Sequence, residues 1–240
     1  MKIALCVIAT GRYPQFLAGL FDSAARHWFF DQDAELFLFV DKPQSPLSAY
    51  HGRPCSPTGR RLIKRWHRAP HEPWPGVTLH RYRTILTAAD SLAEFDYIFY
   101  CDVDMLFTAP VGDEICGPGL TATLHPGFAG KPRGEFTYDT NAASCACVRP
   151  GEGRAYYAGG FQGGRAADYI AAMRTMADRI ERDEGRGITA IWHDESHWNR
   201  YLIDTPPAVE LSPLYCSPES WGVQARKLVA LDKNHAEIRA

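Results

Sequence analysis

The sequence predicts an α/β fold built on a mixed, mostly parallel central sheet flanked by helices, and three observations carry that prediction. Ile3-Ala4-Leu5-Cys6-Val7-Ile8 is a short run, apolar on both faces and stopped by Thr10-Gly11, which is the pattern of a buried parallel strand. Phe16, Leu17, Leu20, Phe21 and Ala24 recur at helical spacing and give an amphipathic helix to about His27. A second strand, Leu36 to Val40, ends at Asp41-Lys42-Pro43, and the β-α-β order calls for a right-handed crossover with parallel pairing.

The remaining elements follow less regularly. The stretch from Gln44 to Gly76 is rich in Pro, Gly, Arg and His and reads in part as loop, with a third strand near Leu62 to Arg65. Val77 to Tyr82 reads as a short strand and Thr84 to Glu94 as a helix. Tyr97 to Cys101 is an apolar strand that runs straight into Asp102-Val103-Asp104. Two carboxylates at the carboxyl end of a strand matter because open α/β sheets bind ligands at that edge. Leu120 to Leu124 and Ala143 to Val148 read as further strands. Ile170, Met173, Met176, Ala177 and Ile180 place a helix over Ala166 to Asp183 that closes near Gly185 to Gly187.

Composition bounds the function. At 240 residues the chain fits one domain, since a single core grows to roughly 250 residues before it splits. Lys and Arg total 26 against 28 for Asp and Glu, so no basic field exists to hold a nucleic acid. The longest apolar runs fall far short of the roughly 20 residues that span a bilayer, and Met1-Lys2-Ile3 leads into a strand without the regions of a signal peptide, so the expected address is cytoplasmic. Seven cysteines with no Cys-x-x-Cys pair suggest neither a disulfide framework nor a zinc ribbon.

Asp102 and Asp104 flank a valine, so an extended backbone would turn both to one side. Carboxylates that close repel unless a cation lies between them, and their oxygens suit Mg²⁺ or Mn²⁺, which in turn grip substrate phosphates. The ordinary alternative is a solvated acidic turn. Trp192-His193-Asp194-Glu195-Ser196-His197 admits a zinc reading through His193 and His197. It also admits a sugar-chemistry reading, with a carboxylate beneath an anomeric carbon and a tryptophan stacked on a pyranose. A helix start capped by Asp194 or Ser196 is compatible with either. Gly159-Gly160 and Gly163-Gly164 bracket Phe161 and would let the backbone approach a ligand, although they form no phosphate-binding P-loop.

Several blocks in one order resemble glycosyltransferase family 6, the group that holds the histo-blood-group A and B transferases and the α-1,3-galactosyltransferases. They are Asp96-Tyr97-Ile98 through Met105, Thr123 through Phe128, Phe136-Thr137-Tyr138, Tyr156 through Phe161, Trp192 through His197, and Leu211-Ser212-Pro213. The resemblance spans Val7 to His235 and implies a GT-A type nucleotide-sugar-binding fold in one catalytic domain, residues 1–240. Within it, 1–110 would form the nucleotide-binding half, 111–225 the acceptor and catalytic half, and 226–240 a tail closing over the pyrophosphate.

Residue by residue, the resemblance implies that Tyr13 stacks on uracil, that backbone near Ile8 and Thr10 holds the base, and that Asp102 and Asp104, with Val103 between them, bind Mn²⁺ (or Mg²⁺) bridging the phosphates of a UDP-sugar donor. Arg81 and Asp194 would contact the donor sugar, and Lys233 and Arg239 would close over the pyrophosphate. His125, Thr137, Trp192 and Glu195 fall at the acceptor-glycan contacts, and Glu195 is also the candidate nucleophile or ion-pair stabiliser of a retaining reaction. Ala158-Gly159-Gly160 matches the donor-selecting segment, where small side chains leave room for a 2-acetamido group and favour UDP-GalNAc over UDP-galactose. Many bacterial relatives carry asparagines in place of the two aspartates; this chain keeps both, which implies metal dependence. The expected reaction is α-1,3 transfer to a galactose-terminated glycan, with a lectin-like or inactive relative and a UDP-sugar hydrolase as the competing readings.

Overall fold

Strand β1 (Lys2–Ala9) lies in the interior of a seven-stranded sheet, and its residues from Ile3 to Ala9 are buried. The computed structural model describes residues 1–29, 33–42 and 62–238. Helix α1 (Leu17–His27) crosses over to β2 (Asp33–Val40), which pairs in parallel with β1, and β3 (Ile63–Arg68) extends that edge. Three short helices follow, α2 (Gly76–Leu79), α3 (Arg81–Leu86) and α4 (Ala89–Leu92), and lead to β4 (Tyr97–Cys101) on the other side of β1. Next come β5 (Met105–Phe107), β6 (Leu120–Leu124), β7 (Tyr157–Arg165), α5 (Ala166–Glu184), α6 (His193–Asp204) and β8 (Val209–Leu211). The chain ends through β9 (Ser217–Pro218), β10 (Leu228–Ala230) and α7 (His235–Ile238).

The sheet order is β3-β2-β1-β4-β7-β6-β8, with β7 antiparallel to both neighbours and every other pairing parallel, so the predicted α/β, mostly parallel architecture is found. A small sheet, β5-β10-β9, hangs on its carboxyl side. Period-two alternation sorts β1 into two cores: Leu5 and Val7 face α1 and Trp28, while Ala4 and Cys6 face the layer that holds Tyr82, Tyr169, Met173 and Trp198. Helix α5 supplies that second layer because Tyr169, Ile170, Met173, Met176 and Ile180 repeat at helical spacing and are all buried. No helix among the described residues is long and apolar enough to cross a membrane.

Three local expectations are corrected, and strand β7 had none. Val77 to Tyr82 is not a strand but the end of α2 and the start of α3; Leu79, Tyr82 and Ile85 are buried three residues apart, so the helical period prevails over the apparent alternation. The helix placed over Thr84 to Glu94 is split into α3 and α4 by a turn at Thr87-Ala88. Ala143 to Val148 forms no strand: the Cys145 N–H and the Ser144 hydroxyl donate to the buried Asp183 carboxylate, which takes the place of a strand partner. Strand β7 was missed altogether, because glycines occupy four of its nine positions and disguise it.

Those glycines divide by role. Gly163 lies against β4 so closely that a Cβ would sit 2.3 Å from the Ile98 carbonyl oxygen, so the second pair serves sheet packing and not ligand approach. Gly163→Ala should therefore destabilise the fold by about 1–3 kcal/mol, read as a lowered midpoint in denaturant; an unchanged midpoint would show that β4 and β7 are not so closely seated.

Candidate active site

The carboxyl ends of β1 and β4, the amino-terminal part of β7 and the first turn of α6 converge on a cleft of about 230 Å³. Its wall holds Ile8, Tyr13, Arg81, Asp102, Val103, Asp104, Gly159, Gly160, Trp192, Asp194, Glu195 and Lys233, which brings most of the residues singled out in the sequence into one place. Thr10 is buried just behind Ile8, its hydroxyl 3.1 Å from His71 Nδ1, and Ala158 is buried in β7 outside the cleft wall. Arg239 lies outside the described residues, as does Cys55.

A break in β-sheet register opens the site. Between the pairs Ala122↔Gln162 and Leu124↔Tyr157 the ladder of β6 and β7 slips, leaving residues 158–161 opposite a single residue of β6. The Gly159 peptide groups thereby leave the ladder, and buried polar groups must find other partners. Glu195 Oε2 accepts from the Gly159 N–H at 2.8 Å, while the Gly159 carbonyl accepts from Arg81 Nη1 at 2.7 Å and Gln162 Nε2 at 3.0 Å.

Arg81 is the hub. Its Nε lies 2.8 Å from Asp194 Oδ2 and its Nη2 lies 3.5 Å from Asp102 Oδ1, with the guanidinium carbon 4.4 Å from the Tyr100 ring centroid. Burial alone would disfavour the guanidinium charge, but Asp194, Tyr100 and Asp102 outweigh it and hold the pKa well above the ordinary value. Asp194 is 1 % exposed, and neither of its carboxylate oxygens has an aligned hydrogen-bond donor among the described residues. Burial pushes Asp194 up to about 7 against the pull of Arg81. It likewise pushes Glu195 up to about 7, against the Gly159 N–H and the facing Tyr156 hydroxyl.

Asp102 and Asp104 do not share one side of an extended strand. The Met105 N–H donates to the Asp102 carbonyl at 3.2 Å, closing a turn that buries Val103 and sends the two carboxylates to different partners. Asp102 Oδ1 accepts from the Tyr100 hydroxyl at 2.6 Å and approaches Arg81, whereas Asp104 pairs with the Lys233 ammonium. Both still line the cleft, and Asp102 Oδ2 faces Gly160, where a Cβ would stand 3.1 Å away. Two hard-oxygen donors that already draw positive charge suit a hard divalent cation. Among the described residues no group of three or more His, Cys, Asp and Glu is placed to hold a metal ion. The two histidines of the zinc reading part company: His193 meets Trp74 edge-on at 4.8 Å, while His197 is buried with Nε2 3.8 Å from Asp183.

At the rim, Trp192 Nε1 donates to Thr137 Oγ1 at 2.9 Å, which joins two of the proposed acceptor residues. His125 stands farther back, against Phe128 and Tyr156, and its Nδ1 accepts from the Gly127 N–H; burial lowers it to about 4, so the ring is neutral. The expected side-chain cap of α6 is absent: the Ser196 hydroxyl instead accepts from the Trp192 N–H at 3.0 Å, and Asp194 turns toward Arg81. Tyr100, Trp74, Val77 and Thr78 also line the cleft. Tyr100 could have been found two residues before Asp102, on the same face of a strand; Trp74, in a Pro-rich stretch, carried no such signal.

A mixed, mostly parallel sheet with carboxylates and a buried arginine gathered at its carboxyl edge has the architecture of a GT-A-like glycosyltransferase. The chain belongs to glycosyltransferase family 6, whose sequence profile matches residues 1–240. It is 36% identical over 248 residues to histo-blood group ABO system transferase 1 of Rattus norvegicus, covering 99% of this chain and 68% of the relative. It is 32% identical over 246 residues to globoside alpha-1,3-N-acetylgalactosaminyltransferase 1 of Homo sapiens, covering 100% and 69%. With the O-antigen biosynthesis glycosyltransferase WbnI of Escherichia coli it shares 24% identity over 240 residues, 97% of this chain and 95% of that one.

Stability should report the buried acid. Glu195, at about 7, lies above the roughly 4.3 of an unfolded glutamate, so the folded chain binds more protons between those values and loses stability as pH rises through that window. Glu195→Gln removes this loss, and its gain in Tm over the unaltered chain should be larger at pH 8 than at pH 5. Thermal unfolding at the two pH values checks this; an equal gain would mean that Glu195 is solvated.

Proposed function

We propose that the chain moves GalNAc, in preference to galactose, from a UDP donor in α-1,3 linkage onto a galactose-terminated glycan with retention of configuration, acting as one cytoplasmic catalytic domain. The observation that carries this reading is the arrangement around Arg81, which ties the donor-end acid Asp102 and the sugar-end acid Asp194 into one cleft with Glu195. The names of the relatives, which include ABO and α-1,3-N-acetylgalactosaminyl transferases, support the same chemistry.

The residues divide the work as follows. Tyr13 and the backbone at Ile8 and Thr10 receive the uracil, and the Lys233 ammonium, 5.5 Å from the Tyr13 ring centroid, lies where charge on a departing diphosphate would build. Asp102 and Asp104 would hold the divalent ion, Mn²⁺ or Mg²⁺, which when bound supplies electrostatic stabilisation of the leaving diphosphate. Asp194, whose Oδ2 lies 2.8 Å from Arg81 Nε at the cleft wall, accepts from hydroxyls of the donor sugar. Glu195 in its ionised form faces the anomeric carbon as it gains positive character, as nucleophile or as ion-pair partner. Trp192, Thr137 and His125 border the acceptor. Gly159 and Gly160 present no side chain to the donor sugar and leave space for a 2-acetamido group.

A panel of UDP-sugars and glycan acceptors with Mn²⁺, read by mass spectrometry and by the anomeric configuration of the product, tests the reading. Transfer from UDP-GalNAc exceeding that from UDP-galactose is expected. UDP release without acceptor would make the chain a hydrolase, and sugar binding without turnover a lectin-like relative. Glu195→Gln should lower kcat on the order of 100-fold or more while UDP still binds in calorimetry; unchanged turnover removes its role. Asp102→Asn, or EDTA, should abolish turnover and weaken UDP binding, and activity that survives both would overturn metal dependence.

A further inference from the structure

Helix α6 grips strand β7 at two points, one of which is not part of the reaction proposed above. Asn199 is 2 % exposed and uses its side-chain amide as a substitute strand: Oδ1 accepts from the Tyr157 N–H at 2.9 Å, and Nδ2 donates to the Tyr157 carbonyl at 2.8 Å. Nδ2 also donates to the Glu195 carbonyl at 2.9 Å, four residues back in the same helix. Glu195 in turn takes the Gly159 N–H. The spacings match, since four helical residues rise about 6 Å and two strand residues about 6.6–6.8 Å. One helix face therefore meets residues 157 and 159 of one strand edge, across the boundary where pairing of β7 with β6 resumes at Leu124↔Tyr157 after the register break.

We propose that Asn199 is a positioning residue, whose amide docks the first turns of α6 on the bulged edge of β7 and so sets the Glu195 carboxylate against Gly159. The inference rests on the catalytic role given to Glu195 in the proposed function. Asn199 suits the task because no other residue type of that length offers a donor and an acceptor side by side without charge. Alanine would leave the Tyr157 N–H and carbonyl unpaired and would free the helix to shift along the strand. A displacement of about 1 Å in a reacting group is enough to lower turnover about 100-fold.

The experiment compares Asn199→Ala with the unaltered enzyme by kinetics and by amide hydrogen exchange of Gly159. A fall in kcat of about 10- to 100-fold is expected, with the donor KM and UDP affinity retained and with Gly159 protection lost while Gly163 protection stays. The acid limb of the kcat profile should also move to higher pH, because a Glu195 that has lost the Gly159 N–H is easier to protonate. The other groups facing Glu195 are Arg81 from α3, with Tyr82 beside it, Asp102 after β4, Tyr156 before β7, Cys216 and the neighbouring Asp194. None of these is a hydrogen-bond partner of Asn199.

A purely structural Asn199 would lower Tm and leave the limb and the Gly159 amide in place, and that result overturns the proposal. Glu195→Gln, run beside it, separates the two readings: if that variant keeps full turnover the proposed function fails, while loss of Gly159 protection in Asn199→Ala still upholds the docking. Should Asn199→Ala not fold, the side-chain amide protons of Asn199 in the unaltered protein decide the matter. Slow exchange upholds the docking hydrogen bond from Asn199 Nδ2 to the Tyr157 carbonyl, and exchange at the rate of an exposed asparagine overturns it.

Discussion

The buried guanidinium of Arg81 is the interaction on which the site depends. It reaches a backbone carbonyl of β7, an acid of α6 and an acid at the end of β4, and thereby ties α6 to the place where β4 and β7 make their last backbone hydrogen bond, from the Asp102 N–H to the Gly160 carbonyl at 2.9 Å. Removing one partner of such a buried ion pair typically costs about 3–5 kcal/mol, because the remaining charge is left in a poor solvent. Arginine and not lysine is required, since three separate acceptors must be met by a planar fork of donors. Helix α3 begins at this residue, and Tyr82 and Ile85 of that helix bury themselves in the core behind it, so the guanidinium is aimed by packing.

Catalytic sites need polar backbone that is not consumed by secondary structure, and here the slip between β6 and β7 provides it. Continuous pairing would have tied the Gly159 peptide into the sheet and turned it from the cleft. The slip costs ladder hydrogen bonds, and side chains replace them: Glu195, Arg81 and Gln162 take up the Gly159 peptide groups, while Asn199 holds Tyr157 beside the slip. At Gly160 a Cβ would stand 3.1 Å from Asp102 Oδ2 and 3.2 Å from Cys216 Sγ, so a side chain there would press on that acid, whereas at Gly159 a Cβ would make ordinary contact with Asp194 and Glu195. Fold and site are thus coupled through one irregularity.

Legibility in the sequence followed the same division. Strands β1, β2 and β4 and helices α1 and α5 were visible because each buries a periodic apolar set large enough to override other signals. Strand β7 was hidden because its stability comes from neighbours that close over glycine, and a missing side chain leaves no pattern to read. The segment at Ala143 to Val148 misled for the opposite reason: its apolar residues imitate a strand, while its backbone is held by Asp183, 38 residues along the chain from Cys145. The acids of the site could be named from short blocks, but their partners could not, since Arg81, Asp102 and Asp194 meet only through the tertiary fold.

Charge balance explains why these residues must act together. The cleft wall carries the carboxyls of Asp102, Asp104, Asp194 and Glu195 against the cations of Arg81 and Lys233, so full ionisation leaves an excess of negative charge where a diphosphate is proposed to enter. Two acids near 7 relieve that excess in part by keeping protons. A diphosphate brings further negative charge and shifts the balance the other way, so its binding calls for added positive charge at Asp102 and Asp104, the acids nearest its expected path. This is the physical reason a divalent cation belongs in the proposal: Asp102 and Asp104 would hold it, it would supply the missing positive charge, and Lys233, now paired with Asp104, would then be able to meet the phosphates.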